Sequence, residues 1–166
     1  MKVKIKQLNE NAKTPVKAKT GDFCYDVYAV SEEEIAPNVW KYGLGMAFQI
    51  ERGTETITSY NKKEYCEGLT LNLKDSPLNF SIDFRPRSSV WKTGMVLSNS
   101  CGTIDEFYTG QVFAIFYHVM PNMPRYKIGD RIGQIKIGVT LPMEFEYVDE
   151  LNETERGDGG FGSSGR

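Results

Sequence analysis

Cysteine, histidine and long apolar runs are all scarce in this 166-residue chain, and each shortage closes off a class of function. The three cysteines, Cys24, Cys66 and Cys101, are odd in number and far apart. They support neither a disulfide framework nor a CxxC zinc site. The one histidine, His118, rules out any site that needs two. A Ser-His-Asp triad could use it, but His118 lies in Phe116-Tyr117-His118-Val119-Met120, an apolar run that reads as a strand. An excess of one charge is also missing. The 20 Lys+Arg against 22 Asp+Glu give −2, so a general nucleic-acid binder is not expected, though a local basic site for a small anion stays open. No apolar run nears the roughly 20 residues that a bilayer needs, so no membrane span is expected. The N-terminal Met1-Lys2-Val3-Lys4-Ile5-Lys6 alternates charge with apolar residues, unlike a signal peptide, and the expected compartment is cytoplasmic.

What is present is mostly of period two. Lys2–Leu8 alternates, with Val3 and Ile5 on one face. Tyr25–Val30, Leu44–Ile50, Leu69–Leu73, Phe80–Arg85, Gly110–Val119, Arg131–Val139 and Glu144–Val148 are short and rich in strand formers. Helix is expected only at Ser88–Lys92 and around Leu151. Many short strands with almost no helix predict an all-β sandwich, jelly roll or small barrel. The length suits one domain over residues 1–155. Residues 51–79, polar and turn-rich, read as an excursion from its core such as a long hairpin. The last eleven residues hold five of the 16 glycines, where an even spread gives about one, so 156–166 is expected to be a flexible arm.

Five segments combine charged and small polar residues with turn glycines. They are Gly21–Ala29, Arg85–Ser89, Asn99–Gly110, Gly129–Gln134 and Arg156–Gly165. Arg87 with Ser88 and Ser89 at a strand-to-helix turn would cradle an anion with a guanidinium fork, two hydroxyls and backbone N–H groups. The arm adds Arg156, accessible backbone N–H groups, and Ser163 and Ser164. Two such cradles suit a polyphosphate. The arm lacks the Gly-Lys-Ser/Thr of a P-loop, and it is not expected to enter a helix as a dinucleotide-binding turn does.

In this order, the five segments resemble the motifs of the trimeric deoxyuridine triphosphatases (dUTPases), approximately AGYDLYA, PRSSL, GVIDxDYRGE, GDRIAQL and RGxGGFGSTG. The chain has Tyr25-Asp26-Val27-Tyr28-Ala29, Pro86-Arg87-Ser88-Ser89-Val90, Gly102-Thr103-Ile104-Asp105 through Gln111, Gly129-Asp130-Arg131-Ile132-Gly133-Gln134-Ile135, and Arg156-Gly157-Asp158-Gly159-Gly160-Phe161-Gly162-Ser163-Ser164-Gly165. The likeness runs from about residue 21 to the end, and the fifth motif is its most specific part. Cys24, Phe107 and Thr109 depart from the pattern, standing for a Gly, an acid and an Arg.

The resemblance implies a distorted jelly-roll or β-clip subunit, a homotrimer, and Mg²⁺-assisted hydrolysis of dUTP to dUMP and pyrophosphate. Asp105 matches the general base that readies a water for attack on the α-phosphorus. Tyr108 matches the aromatic under the deoxyribose that leaves no room for a 2′-hydroxyl. Asn99 and the backbone of Thr103 and Ile104 match the uracil slot, which reads the 4-keto edge and excludes thymine's methyl. Arg87, Ser88 and Ser89 match the phosphate cradle, with Ser88 near the α–β bridge. Gln134 matches a ligand of the α-phosphate or of a water on the metal, and Asp26 a contact to Mg²⁺ through water. Phe161 would stack on uracil and Arg156 would meet the γ-phosphate, with Gly162, Ser163 and Ser164 helping. Asp130 and Arg131 fit either a site role or a structural pair. In the family the first, second and fourth motifs come from one subunit, the third from another and the arm from a third.

Two other readings share the fold. A dCTP deaminase needs a Glu shortly after the Tyr-x-Gly turn, where this chain has Gln111-Val112-Phe113-Ala114-Ile115-Phe116 and no acid. A nucleotide-sensing regulator is disfavoured because every expected catalytic residue is present.

Overall fold

A computed structural model describes residues 1–57, 60–61, 64–65 and 69–159, and side chains outside 55–71. Fourteen strands follow one another: β1 (Lys2–Gln7), β2 (Tyr25–Tyr28), β3 (Ser31–Ala36), β4 (Val39–Gly43), β5 (Met46–Glu51), β6 (Thr54–Ile57), β7 (Tyr60–Asn61), β8 (Glu64–Tyr65), β9 (Leu69–Asn72), β10 (Asn79–Pro86), β11 (Met95–Leu97), β12 (Gly102–Asp105), β13 (Phe113–His118) and β14 (Arg131–Thr140). The single helical piece among the described residues is a 3-10 turn, Ser88–Thr93. Gly94 ends it in the left-handed region, at φ 61°.

Two four-stranded antiparallel sheets carry the domain, in the orders β12-β10-β14-β2 and β11-β13-β4-β3. Alternation dictates their inner faces. In β10 the residues Phe80, Ile82 and Phe84 point inward, and Ser81, Asp83 and Arg85 point outward. Opposite them β13 buries Ala114, Phe116 and His118. Tyr42, Phe84, Phe116 and Tyr126 meet edge to face, with centroids 5.5–6.3 Å apart. This is the sandwich expected from the short strands. His118 is the strand residue expected of it, its ring Nε2 3.0 Å from the Met123 carbonyl.

The excursion leaves and returns between β5 and β10. β6 pairs with β9 and β7 with β8, apart from the main sheets. Its neck is closed where Leu73 N–H donates to Gly53 O at 3.0 Å.

Two expected elements do not form. Glu144–Val148 makes no strand and the stretch around Leu151 no helix; residues 141–155 run over the outside in an irregular path. The alternation is present in Leu141, Met143, Phe145 and Tyr147, but all four are exposed. Pro142 has no N–H with which to extend β14.

Packing around Gly133 is tight. A Cβ there would stand 2.2 Å from Phe84 Cζ and 2.8 Å from the Arg85 carbonyl. The motif pattern has Ala at this position, and in this chain the Phe84 ring fills that space. Gly133→Ala is therefore expected to cost about 1–3 kcal/mol by overpacking. Phe84→Leu in the same chain should recover part of the loss, as read by urea unfolding of the single and double variants. An unchanged midpoint in Gly133→Ala would show that Phe84 has another place to go.

Candidate active site

Antiparallel register places the motif residues. Across the first sheet, Gln134 lies opposite Arg85 on one side and Asp26 on the other. Residues facing each other across a ladder project to the same side, so Asp26, Gln134 and Arg85 form a row on the outer face. One residue beyond Pro86 come Arg87 and the 3-10 turn with Ser88 and Ser89. The first, second and fourth motifs thus share one end of one sheet.

A bulge completes the row. Arg131 and Gln134 are three residues apart and would face opposite ways in a regular strand. The register shifts between Arg131 and Gly133, which re-aims the side chain. Arg131 Nη1 then donates to Asp26 Oδ2 at 2.8 Å, and this carboxylate holds the guanidinium above its ordinary pKa. Asp130 accepts from the Lys127 N–H at 2.8 Å and closes the turn before β14. Both residues therefore have structural partners.

The third motif lies elsewhere. β12 pairs with β10 so that Gly102 faces Phe84 and Asp105 faces Ser81. Ser81 and Arg87 are six residues apart on one extended run, roughly 20 Å at about 3.4 Å per residue. Asp105 is exposed at the last rung of its ladder, and the Tyr108 N–H donates back to its carbonyl at 3.0 Å. The Tyr108 hydroxyl donates to Gln111 O at 2.9 Å, and the side chain lies over Gly110, where a Cβ would stand 2.5 Å from the hydroxyl oxygen and 2.6 Å from Cζ. Thr103 is exposed and Ile104 half-buried. Asn99 occupies the turn into β12, whose next residue, Ser100, adopts φ 57°. A left-handed non-glycine residue costs about 1–3 kcal/mol and persists where the surroundings impose it.

Three acids on or beside this sheet are already engaged. Asp26 pairs with Arg131, Asp83 with Lys136 at 2.9 Å and Glu106 with Arg52 at 2.6 Å. Burial pushes Asp83 up, but bonds from Lys136 and Ser81 outweigh it and hold the carboxyl below its usual range. Among the described residues no ion pair engages Asp105. The Arg52–Glu106 pair was not legible in the motifs, because its members are 54 positions apart. Arg156 lies at the chain's exposed end, with Nε donating to Gly159 O at 3.0 Å. Phe161, Gly162, Ser163 and Ser164 lie outside the described residues, as does Cys66.

The fold is all-β, with Asp26, Gln134, Arg87 and two serines at one sheet end and a separate Asp-Tyr turn. The dUTPase family model matches residues 77–165. Curated relatives named deoxyuridine 5'-triphosphate nucleotidohydrolase include those of Nautilia profundicola, 32% identical over 100% of both chains, and Clostridium novyi, 31% identical over 99% of both. The fold is similar to that of a Staphylococcus bacteriophage 80alpha dUTPase variant with dUpNHpp, at TM-score 0.70 and 22% identity over 99% of each chain. It is also similar to a dUTPase variant from phage phi11 of S. aureus, described with a structural Mg(II) ion, at TM-score 0.63 and 17% identity over 92% of this chain and 100% of that one. This chain belongs to the dUTPase family.

Proposed function

We propose that the protein hydrolyses dUTP to dUMP and pyrophosphate as a homotrimer, with each site assembled from several subunits. The observation that carries this is the row Asp26–Gln134–Arg85 running into Arg87, Ser88 and Ser89 at one sheet end. Arg87 and the two hydroxyls bind the phosphates, and Ser88 donates to the α–β bridge as charge develops there. Gln134 orients the α-phosphate. Asn99 with the backbone of Thr103 and Ile104 reads uracil, and the Tyr108 ring packs under the deoxyribose. Asp105 takes the proton of the attacking water. Phe161, Gly162, Ser163, Ser164 and Arg156 close over the base and the γ-phosphate.

The donor set fits Mg²⁺. No group of three or more acids, His or Cys among the described residues could cage a metal, and Mg²⁺ keeps several waters and takes direct ligands from substrate phosphates. Asp26, already tied to Arg131, would hold it through water, and the ion would supply charge neutralisation along the triphosphate.

Two observations support a shared site. The extended run from Ser81, opposite Asp105, to Arg87 just past β10 separates base and fork in one chain by roughly 20 Å. The exposed Leu141, Met143, Phe145, Tyr147 and Leu151 form the kind of apolar surface that marks a protein contact.

Pyrophosphate release should be at least about tenfold more efficient from dUTP than from dCTP, dTTP or UTP, the effect of one lost contact of about 1.4 kcal/mol. The assay is the four nucleotides with Mg²⁺ under identical conditions. Comparable cleavage of UTP would remove Tyr108 from its assigned place.

A further inference from the structure

We propose that Arg52 is a positioning residue for this reaction, fixing through Glu106 the turn that carries Asp105. The inference rests on the reading of Asp105 as the base. The β10–β12 ladder ends at Asp105, so main-chain pairing between these strands no longer holds residues 106–108. Asp105, Phe107 and Tyr108 are exposed, while the Glu106 side chain between them is turned inward and only 9% exposed.

A complete fork receives it. Arg52 Nε donates to Glu106 Oε1 at 2.6 Å and Nη2 to Oε2 at 2.7 Å, while Nη1 donates to the Ser76 carbonyl at 3.0 Å. The guanidinium lies 4.9 Å from the Phe80 ring centroid. Arg52 follows the last residue of β5, Ser76 stands on the return of the excursion, and Phe80 is the second residue of β10. One side chain thus ties the catalytic turn to three segments of the body. Two parallel bonds in a plane fix orientation as well as distance, which a lysine cannot do. Glu106 is held below the usual carboxylate range, first by Arg52, and so stays ionised as the partner.

Arg52→Met keeps most of the stem and removes the fork. It is expected to lower kcat roughly 10- to 100-fold, the size of effect produced by a misplacement of about 1 Å. KM and the affinity for a non-hydrolysable α,β-imido analogue of dUTP should stay near their original values. Arg52→Lys should not restore the rate. In an Asp105→Asn background, Arg52→Met should lower the residual rate no further, since its target is already gone. An unchanged kcat in Arg52→Met overturns the proposal, and so does an equal loss in both backgrounds, which would mean a general structural defect. Should Arg52→Met fail to fold, Glu106→Gln makes the same test at constant size. Full turnover in Asp105→Asn alone overturns the underlying reading instead, and that variant is measured separately.

Discussion

Asp105→Asn is expected to lower turnover by about 10²-fold or more, the usual share of a general base, while a non-hydrolysable dUTP analogue still binds. The substitution keeps size and one acceptor oxygen but cannot take up a proton. The turn should survive it, because the Tyr108 N–H bonds to the main-chain carbonyl of residue 105 and not to its carboxylate. The neighbouring acids are poor substitutes. Arg52 holds Glu106 low, and bonds from Lys136 and Ser81 hold Asp83 low against the upward push of burial. A depressed pKa makes a carboxylate a weaker proton acceptor. Single-turnover kinetics beside analogue binding would check this; retained turnover would mean that the proton leaves by another route.

Mixing two dead proteins should give back a live one. Arg87→Ala removes the phosphate fork and Asp105→Asn removes the base, and each homotrimer should be nearly inactive. If Asp105 of one subunit serves the site holding Arg87 of another, random mixed trimers contain intact sites. At equal amounts about one quarter of sites would be intact, since each of two independent contributors is unaltered half the time in a heterologous ring. Co-refolding the two variants and assaying pyrophosphate release tests this. Activity that stays at the background of the separate variants would place base and fork in one chain and refute the shared site.

Much of this arrangement was legible because it is written locally. The Phe80, Ile82, Phe84 alternation marks β10, and Gly129-Asp130-Arg131 marks the turn into β14. β3 and β4 were missed, since Glu32-Glu33-Glu34 resembles a solvated charge run. In the fold Arg125 and Lys41 pair with Glu32 and Glu33, and the Arg125 guanidinium lies 3.5 Å from the Trp40 ring centroid. The short β11 and β12 carry too few residues to show a period. Glu144–Val148 has the alternation of a strand but pairs with no strand among the described residues, which no single sequence can disclose. The motifs pointed to Asp105 but not to Arg52, because Arg52 meets Glu106 across 54 positions of chain.

The neck of the excursion also bears on how such a chain could drift over generations. Gly53 and Leu73 close it, and Arg52 and Ser76 brace its foot, so the body registers its two ends and not the length between them. Changes of length inside 54–72 would leave these end contacts in place and are expected to cost the domain little. Arg52 and Glu106 have less freedom, because each side chain is the other's bidentate partner.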